Sequence, residues 1–189
     1  AYGTVVTPFG TFATGQVMVY GGKGSDRVVV QGTAGNDTFG VNPDAIATNG
    51  FFVQGTAVEN FTADGLAGDD TFYINGAGIP VAVKGGAGND RFYVTAVVAV
   101  NGKVDGGAGS DILDYSQYHA QATVNLQAQT ASATVGIANI EGFVGSNSFD
   151  TIVGANTTNT WQVYGNNNAG TINGTGGVQF GSFENWVGG

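Results

Sequence analysis

Apolar residues recur along this chain at fixed distances from a glycine-rich turn that ends in aspartate. Two residues after that Asp stand Val28, Phe39, Phe72, Phe92, Leu113 and Ile152; four residues after it stand Val30, Val41, Ile74, Val94 and Tyr115, with Gly154 breaking the second series. Alternation with a period of two is the pattern of a strand with one buried face. The turns are GGKGSD at 21–26, GTAGND at 32–37, GLAGDD at 65–70, GGAGND at 85–90, GGAGSD at 106–111 and a degenerate GSNSFD at 145–150. Each turn therefore restarts a strand and resets which residues face inward.

The spacing of the turns predicts how the strands stack. Asp70 and Asp90 are 20 residues apart, Asp90 and Asp111 21, Asp26 and Asp70 44, and Asp111 and Asp150 39. A repeat of roughly 20–22 residues accounts for these intervals if two repeats, near Asn49 and near Ser132, have lost their Asp. Asp37 lies 11 residues past Asp26 and is expected at the opposite edge, half a repeat on. A second recurring element, VENF at 58–61, IEGF at 140–143 and FENW at 183–186, is expected there too, with Glu59, Glu141 and Glu184 as hydrogen-bonded ladder or corner positions.

Self-similarity at this period predicts an all-β fold, a right-handed parallel β-solenoid of β-helix or β-roll type with eight or nine coils of about 20 residues. One domain spans 1–189. Residues 1–20 are read as a first coil or partner-facing cap, 21–115 as motif-rich coils, and 116–189 as motif-poor coils with an open end, where Gly188 and Gly189 begin another turn. An open end exposes unpaired backbone groups, so head-to-tail self-association or continuation into neighbouring solenoid domains is expected.

Composition removes other classes. Thirty-four of 189 residues are glycine and leucine occurs only at Leu66, Leu113 and Leu126, which argues against a helical bundle. Five basic against 14 acidic residues, net −9, disfavour nucleic acid and anionic bilayers. No apolar run approaches the roughly 18 residues of a membrane span, so no membrane insertion is expected. Without cysteine there are no disulfides or thiolate chemistry, and an exported chain must be stapled by ions or by a hydrogen-bonded ladder. The single histidine, His119 in DYSQYHAQ, has no recurring acid or nucleophile at a fixed spacing, so no enzyme is expected. Arg27 and Arg91 are expected to point outward as solvated charges, and Asn166, Asn167 and Asn168 to form an exposed loop. Trp161, Tyr164 and Trp186 are the aromatics from which a carbohydrate groove would be built, which leaves an extracellular polysaccharide as a partner class.

GGAGNDRFY at 85–93, GGAGSDILD at 106–114 and GGKGSDRVV at 21–29 match the pattern GGxGxDxUx. They resemble the calcium-binding repeats of secreted bacterial RTX (hemolysin-type) proteins. Because most coils carry one motif and a plain second half, the chain is more similar to the hybrid β-helix segments of large bacterial surface and adhesin proteins. The resemblance implies an extracellular or cell-surface location. Calcium takes roughly six to eight oxygens at about 2.3–2.6 Å. Stacked strands lie about 4.8 Å apart, so one ion can be shared by two consecutive corners. The candidate ligands are Gly68 and Asp70, Gly86, Gly88 and Asp90, and Gly107, Gly109 and Asp111. Asp26 and Asp37, lacking a marked neighbour one coil away, are read first as turn formers and second as ligands; Asp150 is read as a turn residue without metal. The expected role is a calcium-stabilised structural segment: a stalk, matrix or filament subunit. Two alternatives remain open here, an adhesive carbohydrate-binding module and a calcium-binding accessory segment of a secreted polysaccharide-modifying enzyme.

Overall fold

Strands begin directly after the turn aspartates, as the alternation predicts. The structure is a computed structural model that describes residues 4–7, 15–76, 78, 80–97, 100–164, 167–174 and 177–188. Among them the strands, numbered in chain order, form three sheets and no helix. Sheet A is parallel throughout: β1 (Thr4–Thr7), β3 (Arg27–Gln31), β7 (Asn60–Ala67), β9 (Val81–Ala87), β11 (Val100–Ala108) and β15 (Thr134–Ala138). Sheet B holds β2 (Gly15–Tyr20), β4 (Thr38–Asn42), β5 (Ala45–Thr48), β6 (Phe51–Thr56), β8 (Thr71–Ile74), β10 (Arg91–Val94), β12 (Ile112–Asp114), β16 (Gly142–Val144), β18 (Trp161–Tyr164), β19 (Ala169–Ile172) and β20 (Val178–Gly181). Sheet C contains β13 (Thr123–Asn125), β14 (Thr130–Ala131), β17 (Thr151–Val153) and β21 (Asn185–Val187). From β7 to β12 the chain alternates between sheets A and B, and the paired residues are 20 or 21 apart, as in Phe72 with Phe92 and Phe92 with Leu113. The fold is all-β with parallel sheets.

The predicted silent repeats are something else. Arg27 pairs with Asn60 and Thr38 with Thr71, offsets of 33 residues. The extra residues form β5 and β6, which run antiparallel to each other and are inserted between β4 and β2. Their turn is Asn49-Gly50, with φ of 49° and 82°, the left-handed conformation that an Asn-Gly hairpin adopts readily. Near Ser132 the same happens: β13 and β14 pair antiparallel before the chain re-enters sheet A as β15. β18, β19 and β20 form a third antiparallel excursion. Sheet A accordingly has six strands among the described residues, fewer than the eight or nine repeats that the spacing suggested. Among the described residues of 1–20, β1 lies at an edge of sheet A and β2 at an edge of sheet B.

The inward rows follow the alternation closely. Phe39, Phe72 and Phe92 stack with ring centroids 4.7 and 5.0 Å apart, and the row continues through Leu113, Phe143 and Phe180, all buried. Val41, Ile74, Val94 and Tyr115 form the second buried row. Removing such side chains from water is the main favourable term in folding. One member does not fit: Thr48 pairs with both Phe39 and Phe51, is buried, and its hydroxyl has no hydrogen-bond partner. A buried unpaired hydroxyl costs about 1–3 kcal/mol, so Thr48→Val, which keeps the shape, is expected to raise the urea midpoint by the equivalent of about 1 kcal/mol. A lowered midpoint would show that the hydroxyl is satisfied after all.

Candidate functional site

Where the chain turns from sheet A into sheet B, Asp37, Asp70, Asp90 and Asp111 precede β4, β8, β10 and β12, all four buried. Each backbone amide donates to the carboxylate of the next level. Asp37 N–H reaches Asp70 Oδ1 at 2.7 Å, Asp70 N–H reaches Asp90 Oδ1 at 2.8 Å, and Asp90 N–H reaches Asp111 Oδ1 at 2.7 Å. The series ends with Asp111 N–H on Glu141 Oε2 at 2.9 Å. Glutamate does the same work at two other corners: Asp26 N–H donates to Glu59 Oε2 at 2.6 Å, and Asp150 N–H to Glu184 Oε2 at 2.8 Å. At the glutamate levels two successive amides share one carbonyl, as Glu141 and Gly142 do on Asp111 O. The longer side chain thus serves where no glycine turn brings a short one close.

This ladder corrects part of the register made from spacing. Asp37 lies at the opposite edge from Asp26, as expected, but it is Asp37 that stacks on Asp70, across the 33-residue offset, and Asp26 that falls outside that row; Glu59 stacks on Asp26 and not on the Asp37 edge. Glu141 and Glu184 likewise follow Asp111 and Asp150 one level on. A second, outer ladder runs with reversed polarity through the residues just before the aspartates. Asp69 N–H donates to Asn36 Oδ1 at 2.9 Å, Asn89 N–H to Asp69 Oδ1 at 2.7 Å, and Ser110 N–H to Asn89 Oδ1 at 2.9 Å. Inner side chains reach back one level, and outer side chains reach forward. Adjacent turns are therefore tied in both directions.

The inner carboxylates differ in their second oxygen. Asp37 Oδ2 accepts from Thr33 N–H at 2.5 Å and from the Thr33 hydroxyl at 3.1 Å, while its Oδ1 accepts from Asn49 Nδ2 at 2.5 Å. Asp150 uses both oxygens on Ser146 and Ala122. Oδ2 of Asp26, Asp70, Asp90 and Asp111 is buried without a partner. Burial foremost, and then neighbouring carboxylates, raise Asp70 and Asp111 to pKa values of about 6, against the amide bonds that favour the ionised form. Asp90 is raised by the same leading cause.

The first glycine of each turn makes room for that carboxylate. A Cβ on Gly85 would fall 2.5 Å from Gly106 O and closer still to Asp90 Oδ2; Gly65 faces Asp70 Oδ2 and Gly85 O in the same way. The other candidate glycines have backbone reasons of their own: Gly68, Gly86, Gly88, Gly107 and Gly109 all have φ between 107° and 145°, a region that glycine enters without strain.

An ion at this corner would find only oxygen donors, among them negative, buried, unpartnered oxygens on Asp70, Asp90 and Asp111. That chemistry suits a hard cation such as calcium. Asp37 has no oxygen to spare. Among the described residues no three His, Cys, Asp or Glu side chains converge, so an ion would take one carboxylate oxygen per level and main-chain carbonyls.

Several expectations resolve elsewhere. Arg91 is not simply solvated: it pairs with buried Asp114 and lies 5.1 Å from the Tyr93 ring centroid. Arg27 donates to Thr62 Oγ1 at 3.0 Å. His119 is exposed in the connection after β12. Asn166 lies outside the described residues; Asn167 is exposed and Asn168 half-buried, with its amide 3.4 Å from Glu184 Oε1. Trp161 and Trp186 pack against Phe180 at 5.8 and 5.9 Å, while Tyr164 is exposed. The sequence reading missed Asp114, Tyr73 and Tyr93; the apolar-polar alternation around the last two was its only trace. Among the described residues no helix is long and apolar enough to cross a membrane. No protein-family model matches the chain, and a search of characterised proteins found no match.

Proposed function

We propose that this chain is a structural segment of an extracellular bacterial surface or fibre protein, wound as a right-handed parallel β-solenoid. The observation that carries the reading is the inner ladder, which links five consecutive levels from Asp37 to Glu141 by one side-chain bond per level. A ladder of this kind stiffens a stack along its axis and serves no catalytic step. Strands that return to the same parallel sheet after a crossover do so in right-handed fashion almost always. The bacterial and extracellular parts rest on the resemblance of the turns at 21–29, 85–93 and 106–114 to RTX repeats. Calcium belongs to the same proposal: Asp70, Asp90 and Asp111 would hold it, and it would supply the positive charge those carboxylates lack.

Unpaired strand edges at the two ends of such a stack favour head-to-tail association. Sedimentation velocity and small-angle scattering over a concentration series are expected to show an elongated particle that lengthens in steps of one chain. A particle of near-unit axial ratio at every concentration would remove the structural reading, whatever its calcium affinity.

A further inference from the structure

The outward face of sheet B carries an aromatic row with a gap in it. Across the strands the residues at one register position are Phe52, Ala47, Gly40, Tyr73, Tyr93 and Asp114. Tyr73 and Tyr93 stack with centroids 5.1 Å apart and planes within 10°. Arg91, held by Asp114, lies against Tyr93 and fixes the stack from the far side. The opposite face of Tyr73 looks toward β4, where the partner is Gly40, and beyond it lies Ala47. Two small residues thus separate two exposed rings, Phe52 at 41% and Tyr73 at 36%. The resulting open slot has a volume of about 720 Å³.

Gly40 is not required by the backbone. Its φ is not in the left-handed region, and a Cβ there would meet nothing nearer than Asn42 Nδ2 at 3.4 Å and Ala47 Cβ at 3.7 Å. An ordinary strand residue would fit and would be favoured. What the glycine does is leave the Tyr73 ring face uncovered.

The lining decides the occupant. The rims offer hydroxyls and amides: Thr38 and Asn49 on one side, Asn75, Thr95 and Gln117 on the other. Thr95 donates to Asn75 Oδ1 at 2.7 Å and Asn75 to Asn42 Oδ1 at 3.1 Å, so that rim is pre-ordered. Among the described residues no charged side chain lines the slot, in a chain of net charge −9. An uronate, sulfate or phosphate group would find no cation and a repelling field. Three strand spacings put Phe52 and Tyr73 about 14 Å apart at the backbone. With both rings projecting into that interval, a helix of about 10–12 Å does not fit. A flat ring with an apolar face and a hydroxylated edge does.

We infer that this slot binds a neutral pyranose of a polysaccharide, stacked on the free face of Tyr73 with its hydroxyls on the Asn75 and Thr38 rims. This goes beyond the structural role and stands or falls independently of it. The ligand class is set by neutrality and ring shape.

The test is titration calorimetry on the whole chain with hexamers of glucose, mannose, xylose and N-acetylglucosamine, and with a hexauronate as the charged control. At least one neutral hexamer is expected to bind and the hexauronate not to. Gly40→Val, which covers the Tyr73 face, is expected to abolish binding while leaving the melting temperature unchanged or higher. Tyr73→Ala is expected to weaken binding by about tenfold or more, and Val135→Ala, exposed on sheet A outside the slot, to leave it unchanged. Phe52→Ser provides a second slot variant should Gly40→Val fold poorly. Binding of none of the neutral hexamers, preference for the hexauronate, or binding that survives both Gly40→Val and Phe52→Ser would overturn the inference.

Discussion

Gly85→Ala is expected to destabilise the chain by about 3 kcal/mol or more. The φ of Gly85 is not in the left-handed region, so the cost is steric. Its new methyl would collide with Asp90 Oδ2 and stand 2.5 Å from Gly106 O and 2.6 Å from Asp90 Cγ. Neither neighbour can yield cheaply. Gly106 O belongs to the main chain of the next level, and the Asp90 carboxylate is pinned by the Asp70 amide at 2.8 Å. Moving it leaves a buried amide unpaired, which adds to the steric cost. Two other glycines calibrate the result. Gly22 has φ of 93° with open space around it, so Gly22→Ala is expected to cost only the strain of a left-handed alanine, about 1–2 kcal/mol. Gly40→Ala meets no close atom and is expected to be neutral or slightly stabilising. Urea melts of the three variants should rank in that order. A Gly85→Ala midpoint near that of Gly22→Ala would mean that the Asp90 carboxylate is not held where the ladder places it.

The strand faces were legible because each turn restarts the alternation at a fixed distance. Val28, Phe72, Phe92 and Leu113 are all buried, as the pattern requires. The stacking order was less legible, since an interval counts residues and not the path they take. The 33 residues between Asp37 and Asp70 were divided as though each repeat were plain, whereas β5 and β6 consume part of them. A signal for that hairpin was present: Asn49-Gly50 between the apolar runs AIAT and FFVQ. The glutamates were recognisable as recurrent, but their partners were not. The glutamate in second place of VENF or IEGF is not preceded by a GGxGx turn, and only the structure reveals that its extra methylene replaces the reach a glycine turn gives to aspartate. The slot was invisible because Gly40 reads as one more glycine in a chain that has 34.

In chelator, stability is expected to fall as pH rises from about 4 to about 6, the reverse of the usual acid denaturation. Asp70 and Asp111 have pKa values raised from 3.8 to about 6, and Asp90 is raised as well. Between the two values the folded chain holds protons that the unfolded chain has released. The slope of unfolding free energy with pH follows protons bound in the unfolded state minus those bound in the folded state, and here that difference is negative. Each of the two groups contributes a loss on the order of 3 kcal/mol across the window. Below about 4 and above about 6 these groups no longer contribute to the slope. The surrounding charges offer no relief: Asp37, Asp69, Asp105 and Glu141 add repulsion, Arg91 is committed to Asp114, and Lys103 sits 3.6 Å from Asp105. Asp70→Asn, Asp90→Asn and Asp111→Asn combined should flatten the profile, because asparagine still offers an oxygen to the amide of the level before and cannot ionise. Calcium provides the decisive comparison. A cation bound to the ionised oxygens stabilises the folded state by about 2.7 kcal/mol at a hundred times its dissociation constant, and it acts where those oxygens are ionised. Calcium, but not magnesium, is therefore expected to reduce the fall between pH 4 and 6 in the wild-type chain and to have no effect in the triple variant. Identical profiles in calcium and chelator would end the calcium proposal and leave the corner as a ladder of carboxylates and amides that is complete without metal.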